Sequence, residues 1–327
     1  MNIINIGGWY VGNTALLDWL DGFKGVHYHK GDFDVLREPD GIMDIIAEDN
    51  IINKQIYIDN LKRKCLVNLF RSAKHKVGKY TKNLFLKVKP TSYNSDLTFH
   101  LKLYIRLRNF QIMLKTFEKS DEIKFWKHWL ETLIDVNKKE IDTVFFQNPI
   151  YYDEMFDAHK TIWPILFEPY KIIFVHRSPL DQFSDIVESG SHLISDTKRF
   201  HGDTENLDPA DRFLYISRKI YQARIRMVKE YDPSNLLIVS FEDFILNHDF
   251  VSKQILHFLN IKEDTINNQK RFDIKKSAQN IEKWKHNKEM NDLLIDKPYI
   301  MKELESYREI LQALPHSTKF KEDAFNE

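Results

Sequence analysis

Four sets of residues in this 327-residue chain have the types and spacing to hold or move charge. In the first, Gly7, Gly8 and Gly12 lie between an apolar run (Ile3, Ile4, Ile6) and a helical pattern of Ala15, Leu16, Trp19 and Leu20. That order reads as strand, glycine loop, helix. The unpaired N–H groups at a helix start converge on a point that suits an anion, most often a phosphate. Glycine has no Cβ, so a ligand can approach closely. Gly8, Gly12, Asn13 and Thr14 are the candidate ligands, although an ordinary strand-to-helix turn has the same pattern. The second set is His29 and Asp32, at the end of the strand candidate 26–29. The third is Arg177, which follows the apolar run Lys171-Ile172-Ile173-Phe174-Val175 and stands just before Ser178-Pro179 and a helical stretch. A guanidinium there can grip an anion with two donors. The fourth is the polar, basic patch from Ser277 to Lys285, with Trp284 between Lys283 and Lys285.

The glycine loop differs from two common phosphate loops. Asn13 and Thr14 follow Gly12, and no lysine lies between Gly7 and Leu20. A nucleoside-triphosphate loop ending Gly-Lys-Ser/Thr is thereby excluded. Gly7, Gly8 and Gly12 also do not space as Gly-x-Gly-x-x-Gly, the dinucleotide fingerprint.

These residues need a sheet to gather them. The run 171–175 is apolar after Lys171, and a second one, Leu236-Leu237-Ile238-Val239-Ser240, is apolar up to its serine, as in parallel strands buried on both faces. Thr143-Val144-Phe145-Phe146 is a further strand candidate. Ligands of such sheets bind outside the carboxyl ends of the strands, where His29, Asp32 and Arg177 all fall. Helical patterns follow at 180–187, 211–230 and through Val251, Ile255, Phe258 and Leu259. The polar stretch 188–209 is long for a connection and suits a binding loop. A single α/β domain with a central parallel sheet flanked by helices is expected.

From Lys54 to Pro90 the composition changes to eleven Lys or Arg against one acid, Asp59. Ile58, Leu61, Cys65 and Leu69 keep helical spacing. The basic residues therefore line either a solvated helix face or a positive wall for an anionic substrate, cofactor or peripheral membrane contact. Leu101–Phe117 and Phe125–Leu133 are further helical patterns, with Trp126 and Trp129 read as packing residues. Residues 50–140 thus form a mainly helical insertion, of the kind that caps a substrate.

Lys+Arg and Asp+Glu both number 48, so charge argues against a nucleic-acid partner. Cys65 is the only cysteine, which excludes a disulfide framework and a cysteine-rich metal site. No run of about 18 apolar residues suits a membrane span. No leader precedes the first strand pattern, and a cytoplasmic protein is expected.

In their order along the chain, four segments resemble the sulfotransferases that use 3'-phosphoadenosine 5'-phosphosulfate (PAPS). Gly12-Asn13-Thr14-Ala15-Leu16 is similar to the family's loop for the 5'-phosphosulfate. Phe174-Val175-His176-Arg177-Ser178-Pro179-Leu180-Asp181 is similar to the strand and arginine that meet the 3'-phosphate. Val239-Ser240-Phe241-Glu242-Asp243-Phe244 with 255–261 resembles a third segment, and Ser277–Lys285 resembles the C-terminal one ending Trp-Lys. The resemblance implies a P-loop-like fold and transfer of a sulfuryl group from PAPS, as co-substrate, to a hydroxyl or amine of an acceptor, a glycan by its carbohydrate-type likeness. It implies Arg177, Ser184, Lys283 and Lys285 as nucleotide ligands and no metal. Asp32 is placed like the glutamate of carbohydrate sulfotransferases and is the first choice of base, with His29 second.

Two positions depart from the family pattern. Tyr10 stands where the loop normally has Lys or Arg, so another cation, from Lys30, Arg37, Lys283, Lys285 or 54–89, has to serve the leaving group. Asp185 stands where a serine lies eight residues after the arginine, and an aspartate facing a 3'-phosphate repels it. Ser184 lies one residue early. Two other readings stay open. One is a non-catalytic nucleotide- or glycan-binding protein of the same fold. The other is a glycosyltransferase with Asp32-Phe33-Asp34 as its metal motif.

Overall fold

The computed structural model describes residues 2–6, 10–32, 34–37, 40–85, 97–133, 143–147, 159–190, 204, 206–230, 232–263 and 272–314. Five strands run in chain order as β1 (Asn2–Ile6), β2 (Val26–Asp32), β3 (Thr143–Gln147), β4 (Tyr170–His176) and β5 (Leu236–Ser240). The described helices are α1 (Asn13–Leu20), α2 (Asp34–Arg37), α3 (Ile42–Ala47), α4 (Ile51–Phe85), α5 (Leu97–Met113), α6 (Lys119–Leu133) and α7 (Trp163–Phe167). They continue as α8 (Pro179–Glu188), α9 (Pro209–Glu230), α10 (Phe241–Leu246), α11 (His248–Leu259), α12 (Ile274–Ala278), α13 (Lys288–Leu294) and α14 (Pro298–Ala313).

The chain divides into two compact units: residues 1–30, 137–156 and 169–327, and residues 31–136 with 157–168. The first unit is built on the sheet, whose order is β2-β3-β1-β4-β5. β1 pairs in parallel with both β3 and β4, and β4 with β5. The register sets Ile3 beside Phe145, Ile173 beside Leu237 and Val175 beside Val239. These residues share one face, because side chains alternate along a strand. On that face they join Leu16, Trp19, Phe241, Phe244, Val251 and Ile255 in one apolar cluster, so α1, α10 and α11 cover it. Ile4, Ile172, Phe174 and Ile238 point the other way and are also fully buried. There Arg224 of α9 lies over the Phe174 ring, 5.1 Å from its centroid. Burial on both faces is why residues 172–175 of β4 and 236–239 of β5 are apolar in succession rather than at every second position.

The strand order fixes where the sheet's topological switch point falls. From β1 the chain moves towards β2 on one side, and from β4 it moves towards β5 on the other. Adjacent β1 and β4 thus send their following segments apart, which opens the sheet's switch point at their carboxyl ends.

The second unit is helical. α4 and α5 pack through Ile58, Leu61, Cys65, Leu103, Leu107 and Phe110, all buried. Phe110 meets Phe117, Phe125 and Trp126 at centroid distances of 5.1–5.8 Å. Trp126 and Trp129 are both buried and serve packing. Lys54, the first residue of the basic run, is not on a solvated face. Its ammonium is buried and donates to both carboxylate oxygens of Glu122 at 2.6 Å. Side chains 71–89 lie outside the described residues, so the expected basic wall is placed only by its helix. An enclosed pair of this kind loses about as much by desolvation as it gains by attraction. The double replacement Lys54→Met with Glu122→Leu is therefore expected to change unfolding free energy by less than about 1 kcal/mol. Lys54→Met alone should cost several times that, which urea unfolding of the three variants compares directly.

Among the described residues no helix is long and apolar enough to cross a membrane.

Candidate functional site

Three segments distant in sequence meet at the carboxyl edge between β1 and β4. The first is the turn into α1. Tyr10 and Gly12 both take left-handed backbone, with φ of 58° and 89°. Gly12 is required there twice over. Its φ suits glycine, and a Cβ on it would stand 2.2 Å from Cδ2 of Phe241. The Gly12 carbonyl accepts from the Ala15 N–H at 3.0 Å and so starts the helix. Thr14 is exposed at the mouth of the turn and Asn13 is buried beneath it. Gly8 lies outside the described residues.

The second segment is the end of β4 with the start of α8. Arg177 is only 3% exposed. Its Nη1 donates to the Tyr10 carbonyl at 3.0 Å and to the Asp185 carboxylate, and its Nη2 donates to the Asn280 carbonyl. The guanidinium carbon lies 5.4 Å from the Phe241 ring centre. Phe241 is thus a wedge between Gly12 and Arg177. One arginine ties together the turn after β1, helix α8 and the C-terminal segment.

That C-terminal segment, 280–287, is the third. Asp181 in the first turn of α8 accepts from the backbone N–H of Glu282 at 2.9 Å and of Trp284 at 3.1 Å. Burial pushes the Asp181 carboxyl up, against the two N–H bonds and the charge of Arg177. Lys283 donates to Asp185 at 2.8 Å and to Glu188 at 2.6 Å. Partial burial works against its charge, but these carboxylates outweigh it and hold the ammonium above the usual lysine range. Lys285 is at the rim, paired with Glu282 at 2.7 Å.

The structure therefore brings Gly12, Asn13, Thr14, Arg177 and Lys283 into one neighbourhood, with Lys285 at its margin. Ser184 is not at that edge. It is fully buried, and its hydroxyl accepts from Asn287 Nδ2 at 2.8 Å. The interaction holds α8 to the start of α13, where Asn287 also caps Met290 at 2.9 Å. His29 and Asp32 belong to β2, but their side chains lie outside the described residues, as do Phe33 and the side chain of Asp34. Among the described residues no three His, Cys, Asp or Glu side chains gather as a metal site.

Tyr10 is held in place by both its ends. The carbonyl accepts from Arg177 and the hydroxyl donates to Ser189 Oγ at 2.9 Å. His176, one residue before Arg177, is an unsuitable base. Burial first, and the charges of Arg224 and Arg308 after it, lower its pKa to about 3. Glu242, in the first turn of α10, accepts from the Ser178 N–H at 2.7 Å and so fixes the turn that carries Arg177. The sequence reading did not single out Asn280, Asn287 or Phe241 as site builders. Asn280 acts through its carbonyl, which no side-chain pattern reports. Asp181 lay inside a segment that was recognised, but its role as an anchor needed the fold.

No protein-family model matches this chain, and no curated protein matches its sequence. Among solved structures it is similar to the sulfotransferase domain from the curacin biosynthetic pathway. That likeness has 15% identity over 84% of this chain and 79% of the other, with a TM-score of 0.43. It is also similar to the sulfotransferase domain from the Synechococcus PCC 7002 olefin synthase, at 14% identity over 94% of both chains and a TM-score of 0.45. Identity this low leaves the chemistry to be argued from the residues themselves.

Proposed function

We propose that the chain is a PAPS-dependent sulfotransferase that passes a sulfuryl group to a hydroxyl or amine of an acceptor, a glycan by its carbohydrate-type resemblance. One observation carries the reading. The turn before α1, the arginine after β4 and the Lys283 segment were singled out separately in the sequence, and Arg177 hydrogen-bonds to the first and third of them. Their meeting place is the switch point of a parallel sheet, where ligands of such sheets bind.

Arg177 and Lys283 are the two cations that a phosphate of the donor would take, set against the carboxylates of Asp185 and Glu188. Arg177 and Lys283 both point at a single anion, and the stand-in for that anion is the Asp185 carboxylate. In this reading the start of α1, with Thr14, holds the 5'-phosphosulfate, and Arg177 with Lys283 holds the 3'-phosphate. PAPS supplies the sulfuryl group. Asp32, or His29 in its place, takes the proton of the acceptor hydroxyl or amine. Lys285 or Lys30 takes the part of the cation that Tyr10 does not provide.

Transfer from radiolabelled PAPS to a panel of glycan acceptors tests this. The wild-type chain is expected to label at least one acceptor. Tyr10→Lys should label it as fast or faster, and Lys285→Met or Lys30→Met should slow it by about 10²-fold. A second reading, a binding protein of the same fold, is favoured by Tyr10, whose hydroxyl is tied to Ser189. Nucleotide binding without transfer to any acceptor, with transfer appearing in Tyr10→Lys, would establish that second reading.

A further inference from the structure

Asp185 is the point at which the donor reading and the observed contacts collide. Its carboxylate bridges two cations from different parts of the chain, Arg177 through Oδ2 and Lys283 through Oδ1. Arg177 is buried, and its remaining contacts go to the Tyr10 and Asn280 carbonyls. Lys283 spends a further bond on Glu188. The two cations thus form an anion site whose anion is part of the chain.

Helix α8 cannot carry that anion away as a body. Asp181 holds it to the N–H groups of Glu282 and Trp284, and Ser184 holds it to Asn287. Both anchors lie within about one turn of Asp185 and bind the segment that supplies Lys283. The carboxylate can leave the cations only by turning its own side chain. A phosphate arriving at Arg177 and Lys283 has to turn it out, or else share the two cations with a second negative charge.

We infer that Asp185 sets specificity at this subsite: it competes as a built-in anion with the 3'-phosphate of the nucleotide, and its removal makes the site selective for that phosphate. The inference rests on the proposed nucleotide reading. In the wild type the gain from the 3'-phosphate is largely cancelled by the loss of the Asp185 contacts. A short neutral side chain at 185 leaves Arg177 and Lys283 without their internal anion, and the phosphate then takes it up whole.

The test is calorimetric titration of the full chain with adenosine 3',5'-bisphosphate and with adenosine 5'-monophosphate. Wild type, Asp185→Ser, Asp185→Asn and Asp185→Glu are compared. The wild type is expected to prefer the bisphosphate by less than about threefold. Asp185→Ser and Asp185→Asn should prefer it by about thirtyfold or more, the scale of a charge-assisted contact to phosphate. Asp185→Glu, which keeps the charge, should stay near the wild type. Asp185→Asn keeps the shape of the side chain and carries the test if Asp185→Ser does not fold. Bisphosphate should also raise the melting temperature of the neutral variants more than that of the wild type, since a ligand stabilises the state it binds. Nucleotide binding with the same preference in all four proteins overturns the inference and leaves the nucleotide reading standing. Absence of binding of either nucleotide to any folded variant overturns both.

Discussion

Arg177→Ala is expected to destabilise the sheet unit by about 3 kcal/mol or more, whatever ligand the protein takes. Breaking a buried ion pair by deleting one partner costs about 3–5 kcal/mol. Here the deletion strips a charge partner from Asp185 and a donor from each of the Tyr10 and Asn280 carbonyls. Lys283 remains beside Asp185 at 2.8 Å, which places the loss towards the lower end of that range. Arg177→Lys keeps a charge but lacks the fork that reaches three acceptors in different directions. Its cost should be about 1–2 kcal/mol, that of one or two lost hydrogen bonds. Urea unfolding of the three proteins measures both values. An Arg177→Ala protein within about 1 kcal/mol of the wild type would show that the arginine does not tie the three segments together. The expectation also matters for any binding assay, because loss of ligand affinity in Arg177→Ala mixes a lost contact with a loosened site. Neutral Asp185 variants break the same pair from its other end, so their unfolding free energies belong beside their affinities.

Gly12→Val is expected to cost about 2–5 kcal/mol, and Gly12→Ala towards the lower end of that range. Two separate terms add. A residue with a Cβ in left-handed backbone costs about 1–2 kcal/mol, and forcing atoms into a filled space costs about 1–3 kcal/mol. Both apply, since φ is 89° and the new Cβ would lie 2.2 Å from the Phe241 ring. The ring has little freedom to give way, as Phe241 is buried with Arg177 stacked beside it. Trimming the ring separates the two terms. In a Phe241→Leu background the Gly12→Ala cost should fall by roughly the packing part, about 1 kcal/mol or more, and leave the backbone part behind. Equal costs of Gly12→Ala in both backgrounds would assign the whole effect to the backbone angle.

The sheet was legible because burial on both faces leaves a strong mark. The run 171–175 is observed as Tyr170–His176, and the run 236–240 is Leu236–Ser240 as read. Helix edges were less legible. The pattern Leu101–Phe117 is observed as Leu97–Met113, because the apolar count includes Phe117, which packs on Phe110 and Phe125 from beyond the helix end. Lys54 belonged in the sequence to a basic run, and only its partner 68 residues away, Glu122, explains why it is buried. The site follows the same division. Gly12 and Arg177 are visible as types at strand ends. Asp185 is visible as a misplaced charge, read as repelling a phosphate. Its bonds to Arg177 and to Lys283, 98 residues on, turn the same charge into an occupant of the site. Ser184 shows the converse error, since one position along a helix moves a side chain by about 100° and here puts it in the core.

The most direct measurement of the central claim is a crystal structure of the wild-type chain with adenosine 3',5'-bisphosphate. The expected result is the 5'-phosphate at the turn from Tyr10 to Thr14 and the 3'-phosphate on Arg177 and Lys283, with Asp185 turned away from both. A nucleotide bound elsewhere, while Asp185 still bridges Arg177 and Lys283, would contradict it.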